Sequence, residues 1–139
     1  MKRALRALAA GVAAAAGVGL WSAAAQAQNP YGCACLNNLT QGTVHYRFHW
    51  GNDPWQTMTL QRGQRAWMCW QYAPGTSSSP PLQFQLDVDL SQGSAWTTYA
   101  IERVQSPARD CDRIGTRGQY DVRYRPNTNN SFLHVTRRQ

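Results

Sequence analysis

The feature that most constrains the fold is a strict alternation of apolar and polar residues along several short segments. From Leu82 to Leu90 every second residue is apolar, and residues 43–50 and 119–125 follow the same rule. Because successive side chains of a β-strand point to opposite faces, this period predicts strands with one face in a core and the other in solvent. Weaker strand signals span 55–60, 65–72, 96–104 and 131–136, and a short strand is expected before Asn37.

Turn-forming residues separate these segments. Residues 51–54 and 61–64 are short enough to close hairpins. The Pro- and Ser-rich segment 73–81 is unsuited to pairing in a sheet, and we expect it to carry the chain from one sheet to another. Roughly seven or eight short strands separated by turns predict an all-β fold, namely a small antiparallel β-sandwich, with a small β-barrel as the alternative.

Residues 1–27 have the features of a cleavable signal peptide. A basic start precedes an Ala-rich apolar stretch, and Ala25-Gln26-Ala27 matches the small-x-small site of signal peptidase. The apolar stretch is shorter than the ~20 residues of a spanning helix, so we expect cleavage rather than a permanent membrane anchor. Residues 28–139 are then expected to form one secreted or periplasmic domain, and the Ala- and Arg-rich composition favours a bacterial source.

All the cysteines, Cys33, Cys35, Cys69 and Cys111, lie beyond the predicted signal. An even count in an exported chain predicts two disulfides. A bond between Cys33 and Cys35 would strain a very tight ring, so each is expected to pair with one of the two distant cysteines. The same thiols could hold zinc, but the paired C-x2-C spacing of such sites is missing.

Catalytic and metal motifs are missing from the sequence. It has no G-x-S-x-G and no H-E-x-x-H pattern. His45 and His49 lie four residues apart on a predicted strand, and ~13 Å is too far for one metal ion to bridge. Asp87 and Asp89 could serve a small hydrolase as paired carboxylates, but we expect both to be solvated or to pair with a nearby arginine such as Arg103 or Arg123. A non-enzyme without metal or cofactor is therefore predicted.

Aromatic residues give the strongest indication of function. If residues 43–50, 55–60 and 65–72 form a meander, one face collects apolar side chains and the other presents tryptophans among basic residues. The predicted ligand-binding residues on that face are Trp55, Trp67, Arg47, Arg65, His45 and His49. Flat rings beside Arg and His donors suit stacking on sugars or contacts to anionic groups. Alternatively, a loop or the disulfide-tethered N-terminal segment covers this face.

These observations predict a non-catalytic binding or interaction module for a glycan or an anionic envelope polymer. The alternative is an inhibitor of a secreted enzyme, of the protease or lysozyme type, acting through the loop 72–81, whose prolines limit the entropy lost on binding. The formal charge is +7, but the basic residues form no block of the kind that binds nucleic acid, so no nucleic-acid partner is predicted.

Overall fold

A computed structural model describes residues 29–139, and the predicted signal peptide lies outside this range. The described chain consists of β-strands joined by loops and turns, with one short 3-10 helix at Thr116–Gly118. The strands are β1 (Tyr31–Asn38), β2 (Val44–Trp50), β3 (Gln56–Leu60), β4 (Arg65–Gln71), β5 (Leu82–Asp87), β6 (Trp96–Tyr99), β7 (Val104–Ser106), β8 (Gln119–Tyr124) and β9 (Leu133–Arg137).

The strands form two sheets that pack against each other. Sheet A has the order β4-β1-β8-β9, and β7 pairs with the first residues of β1. Sheet B has the order β3-β2-β5-β6. Neighbouring strands are antiparallel, except that β1 and β8 run parallel. The predicted β-sandwich is confirmed, and the described strands form two separate sheets rather than one closed barrel.

The core lies between the two sheets and follows the alternation of the sequence. In β2, Val44, Tyr46 and Phe48 are buried, whereas the residues between them are only partly buried. Sheet A contributes Met68 and Val122 from its inner face. Burial removes the Tyr46 hydroxyl from water, which disfavours the phenolate and raises the pKa of Tyr46 to about 12.

Connections between the strands decide which strands become neighbours. Residues 51–54 close the expected hairpin between β2 and β3, with Gly51 in the left-handed region at φ 54°. Residues 61–64 were expected to close a second hairpin, but they instead carry the chain from sheet B to sheet A. The Asn38 carbonyl accepts a hydrogen bond from the Gly63 N–H at 3.0 Å, which fixes this crossing beside the end of β1. The expected meander is therefore wrong.

Within residues 29–139, three further connections cross between the sheets, and the first of them, residues 39–43, leads from β1 in sheet A to β2 in sheet B. Segment 73–81 leads from β4 in sheet A to β5 in sheet B, as predicted. The predicted strand 96–104 is divided, because β6 pairs with β5 in sheet B and β7 pairs with β1 in sheet A. Ile101 is buried in the core where the chain passes from one sheet to the other.

Two disulfides are present, as predicted. Cys33 and Cys69 are direct partners in the β1–β4 register and are bonded to each other. Cys35 is bonded to Cys111, which holds the segment before β8 over the outer face of sheet A. The bridges span 36 and 76 residues. Loops of this length are each expected to stabilise the fold by ~4 kcal/mol.

Candidate functional site

The outer face of sheet B carries a row of polar side chains that crosses all of its strands. Thr57, Arg47, Gln85 and Thr98 are successive partners in the register of β3, β2, β5 and β6. Tyr46 and Phe48 face the core, so Arg47 between them points away from it. Strand pairing therefore assembles the row from residues that are distant in sequence.

Arg47 is stacked between two tryptophan rings on this face. Its guanidinium carbon lies 4.5 Å from the ring centroid of Trp55 and 4.6 Å from that of Trp96. Its Nε donates a hydrogen bond to Gln85 Oε1 at 2.7 Å, and Gln85 Nε2 donates to Thr98 Oγ1 at 3.1 Å. Neither Nη atom donates a hydrogen bond to, or forms an ion pair with, any side chain within residues 29–139.

Trp55 also contacts the ring of His49. The two rings meet edge to face with centroids 4.2 Å apart, and His49 Nε2 lies 3.0 Å from Gln83 Oε1. Trp55 remains 37% exposed. We call Arg47, Trp55, Trp96, His49 and Gln85 the Arg47 cluster. His45 lies farther along the same face of β2, opposite Thr59, and is partly buried.

Trp96 is positioned by the turn that precedes β6. Gly93 has φ 108°, and a Cβ added there would lie 3.4 Å from the Trp96 ring. The Gly93 N–H donates to Asp87 Oδ2 at 2.6 Å, and the Ser91 hydroxyl donates to Asp87 Oδ1 at 3.1 Å. The carboxylate of Asp87 therefore organises the turn that places Trp96 over Arg47.

Asp87 is consequently buried, and its partners are Gly93 and Ser91, so the expectation that it is solvated or paired with an arginine was wrong. The strand predicted over 82–90 ends at Asp87, because this carboxylate accepts the donors of the turn and Leu90 takes a positive φ of 63°. Asp89 is exposed as expected. Hydrogen bonding from Ser91 lowers the pKa of Asp89 below its ordinary value.

The predicted ligand-binding residues are divided between the two sheets. Arg47, Trp55, His45 and His49 share the outer face of sheet B. Trp67 and Arg65 lie instead on β4, opposite Cys35 and Asn37, on the outer face of sheet A. Pairing of β4 with β1 causes this separation, so the single face expected from the meander does not form.

Arg65 is engaged within the fold. Its Nε donates to the buried Asn37 Oδ1 at 2.7 Å, and its Nη1 forms an ion pair with Asp112. Asn37 in turn donates to the backbone carbonyl of Tyr120 at 2.9 Å. Arg65 thus connects β4 to β1 and to the loop before β8, and its donors are used by the protein itself.

Several residues of the outer surfaces were missed at the level of sequence. Gln83 and Gln85 lie on the polar face that the alternation predicts for 82–90, but nothing local indicates that β5 lies beside β2. Trp96 is brought to Arg47 by a turn and by the pairing of β5 with β6. On sheet A, Arg109 lies over Tyr31 and Trp67, far from both in sequence.

The Arg47 cluster lies at the surface of sheet B, and its residues are exposed or partly buried. It presents aromatic ring surface and charged planar donors together, a combination that suits ligands with both apolar faces and anionic groups. Among residues 29–139, no three His, Cys, Asp or Glu side chains are grouped so that they could hold a metal ion. No helix in the described range is long and apolar enough to cross a membrane.

Comparison of the chain with protein-family models, with curated proteins and with solved structures found no match in any of the three.

Proposed function

We propose that the protein is a non-catalytic module that binds an acidic polysaccharide on the outer face of sheet B. The observation that carries this proposal is the stacking of Arg47 between Trp55 and Trp96, while neither of its Nη atoms has an acceptor among residues 29–139. A guanidinium fixed in this way offers a planar fork to a carboxylate or sulfate group, which accepts paired hydrogen bonds.

Pre-organisation supports this assignment. A free arginine side chain loses conformational entropy when it binds a ligand, and this loss weakens affinity. In the Arg47 cluster the two rings and the Gln85 side chain already hold the guanidinium. Binding then costs less entropy, and the exposed part of the Trp55 ring can pack against the apolar face of a sugar.

The compartment is consistent with such a ligand. Two disulfides indicate an oxidising environment, either extracellular or periplasmic. We propose that residues 1–27 direct export and are then removed, and that the source is a bacterium. Polysaccharides of the envelope or of the extracellular matrix are the polymers that an exported module of this kind would meet.

Retention on immobilised polygalacturonate, with neutral dextran as the reference, tests the proposal. The variants Arg47→Met and Trp55→Ala are each expected to weaken retention at least ~10-fold. The first removes a charged hydrogen-bond donor, and the second removes a stacking surface. Arg62→Met removes the same charge from an exposed turn, and Phe132→Ala removes an exposed ring elsewhere. Both control variants are expected to bind like the wild type.

Two results would overturn the proposal. The first is an absence of retention by any carboxylated or sulfated polysaccharide in a broad panel. The second is retention that falls equally in Arg47→Met and Arg62→Met, because this would show that net charge rather than the Arg47 cluster holds the polymer.

The loop 72–81 favours a second candidate function, inhibition of a secreted enzyme. Both ends of the loop are anchored: the Tyr72 N–H donates to Pro30 O at 2.9 Å, and the Gly51 N–H donates to Pro81 O at 2.8 Å. The Thr76 hydroxyl closes a turn on Ala73 O at 2.8 Å. Residues 73–78 are exposed, so a fixed segment projects from the sandwich.

Removal of residues 76–79 tests this second candidate. If the loop inhibits a secreted protease or lysozyme, the shortened protein loses inhibition in a panel of such enzymes, and Arg47→Met retains it. If neither the wild type nor the shortened protein inhibits any enzyme of the panel, this candidate is rejected and polysaccharide binding is unaffected.

A further inference from the structure

We infer that the protein has a second anion-binding site on the outer face of sheet A and can therefore bridge two polysaccharide chains. The site consists of Arg109, Tyr31 and Trp67, which we call the Arg109 cluster. The inference rests on the proposed function, because it assigns to this site the same class of ligand as to the Arg47 cluster.

The Arg109 cluster repeats the chemistry of the Arg47 cluster with different strands. The guanidinium carbon of Arg109 lies 5.4 Å from the Tyr31 ring centroid and 5.6 Å from that of Trp67, both within the range of cation-π attraction. Trp67 is 44% exposed. Within residues 29–139, the Arg109 side chain donates no hydrogen bond and forms no ion pair, so its donors are available to a ligand.

Covalent and hydrogen-bonded contacts fix the backbone on both sides of Arg109. Two residues later, Cys111 is bonded to Cys35, which lies in β1 between β4 and β8 of sheet A. Just before Arg109, the carbonyl of Ala108 accepts a hydrogen bond from the buried Ser106 hydroxyl at 2.7 Å. The disulfide framework therefore has a functional consequence, because it presents Arg109 over the rings of β1 and β4.

Acidic residues close to Arg109 in sequence are engaged elsewhere. Asp110 Oδ1 accepts a hydrogen bond from the Asp112 N–H at 2.9 Å, and the Asp112 carboxylate pairs with Arg65. Neither carboxylate forms an ion pair with Arg109. The positive charge of Arg109 is therefore not neutralised by a direct partner in the described chain.

The two clusters face in opposite directions. Met68, next to Trp67, and Tyr46, next to Arg47, are both buried in the core between the sheets. Since side chains alternate along a strand, Trp67 and Arg47 project from the outer surfaces of sheet A and sheet B. Packed sheets lie ~10 Å apart, so a straight polymer cannot contact both clusters at once. A protein molecule that uses both clusters would therefore join two polymers, or two distant segments of one polymer.

Two-dimensional NMR of the indole N–H groups distinguishes the sites, using the disulfide-bonded protein and short oligogalacturonate as the probe. In the wild type, we expect the signals of Trp55 and Trp67 both to shift. In Arg109→Met only Trp55 is expected to respond, and in Arg47→Met only Trp67. The variant Arg113→Met, which removes an exposed charge from the same loop, is expected to behave like the wild type.

Light scattering with long polygalacturonate then measures bridging. The wild type is expected to increase the size of the polymer complex several-fold, whereas Arg109→Met and Arg47→Met bind the polymer without this increase. Retained dispersion of the amide signals checks folding in each variant.

The outcomes separate this inference from the proposed function. If oligogalacturonate shifts Trp55 but leaves Trp67 unaffected, the second site is rejected and the proposed function stands. If both signals shift but the complex does not grow, bridging is rejected, since one chain then wraps around the domain. If neither signal shifts and no acidic polymer is retained, both proposals are rejected.

Discussion

Arg47 Nε and Gln85 Oε1 are joined by a 2.7 Å hydrogen bond across neighbouring strands of sheet B. The bond uses the donor of the guanidinium that lies closest to the backbone, and the two outer nitrogen atoms have no acceptor in the part of the chain that the structure describes. Gln85 is itself held by Thr98 on the next strand. The position of the guanidinium is therefore set by three adjacent strands as well as by the two stacked tryptophans.

Replacement of Gln85 tests whether this hydrogen bond matters for binding. In Gln85→Met the guanidinium of Arg47 stays between the two tryptophan rings but loses the hydrogen bond that orients it. We therefore expect the affinity for polygalacturonate to fall ~3- to 10-fold. Stability is expected to fall by only ~1 kcal/mol. Binding isotherms and urea unfolding measure the two effects. Gln41→Met, an exposed substitution away from sheet B's outer face, provides the control, and equal affinity in both variants would contradict the prediction.

The buried carboxylate of Asp87 is expected to be important for stability. In Asp87→Asn the charge is lost and one amide oxygen must replace two carboxylate oxygens, so the Gly93 N–H and the Ser91 hydroxyl cannot both keep their acceptors. We expect a loss of ~1–3 kcal/mol in the free energy of unfolding and a displaced Trp96. The exposed Asp89→Asn should change stability by less than ~0.5 kcal/mol. Equal urea midpoints for both variants would show that Asp87 does not organise the turn.

The buried Tyr46 predicts a specific loss of stability in alkali. Its pKa is about 12 in the folded protein against an ordinary value of 10.0, so the unfolded chain releases this proton first. The contribution of the neutral hydroxyl is fully present below pH 10 and declines as the pH rises towards 12. At pH 11 the loss is ~1.4 kcal/mol. Urea unfolding of Tyr46→Phe, which lacks this proton, should show a smaller decline between pH 9 and 11, and parallel curves would contradict the assignment.

The bond between Cys35 and Cys111 is expected to affect the two clusters differently. Replacement of both cysteines by serine removes a loop constraint and should lower the free energy of unfolding by ~4 kcal/mol. It also releases the segment that carries Arg109, so the response of Trp67 to oligogalacturonate should weaken while that of Trp55 persists. The same NMR titration measures both. Simultaneous loss of both responses in a folded variant would show that the clusters are not independent.

Much of the local structure could be predicted from the sequence. The alternation in 43–50 assigns Val44, Tyr46 and Phe48 to the core and Arg47 to the surface, and the structure agrees. This succeeds because side-chain direction in a strand depends only on local geometry. The even number of cysteines likewise predicted both disulfides, although their pairing was left open.

Strand neighbours could not be predicted in the same way. Whether Trp67 joins Trp55 depends on the partner of β4, and β4 pairs with β1, from which it is distant in sequence. The bonded pair of Cys33 and Cys69 lies within that ladder. The burial of Asp87 could not be predicted from alternation either. Its side chain lies on the outer face of β5 and is buried only because the following turn folds over it. Alternation does not encode either relationship.

The most direct test of the central claim is a measurement of intermolecular NOEs between oligogalacturonate and the aromatic protons of the disulfide-bonded protein. The Arg47 cluster predicts contacts between sugar ring protons and Trp55, and their loss in Arg47→Met but not in Arg62→Met. Binding without any contact at Trp55, or contacts that survive in Arg47→Met, would contradict the assignment of sheet B's outer face as a binding surface for acidic polysaccharide.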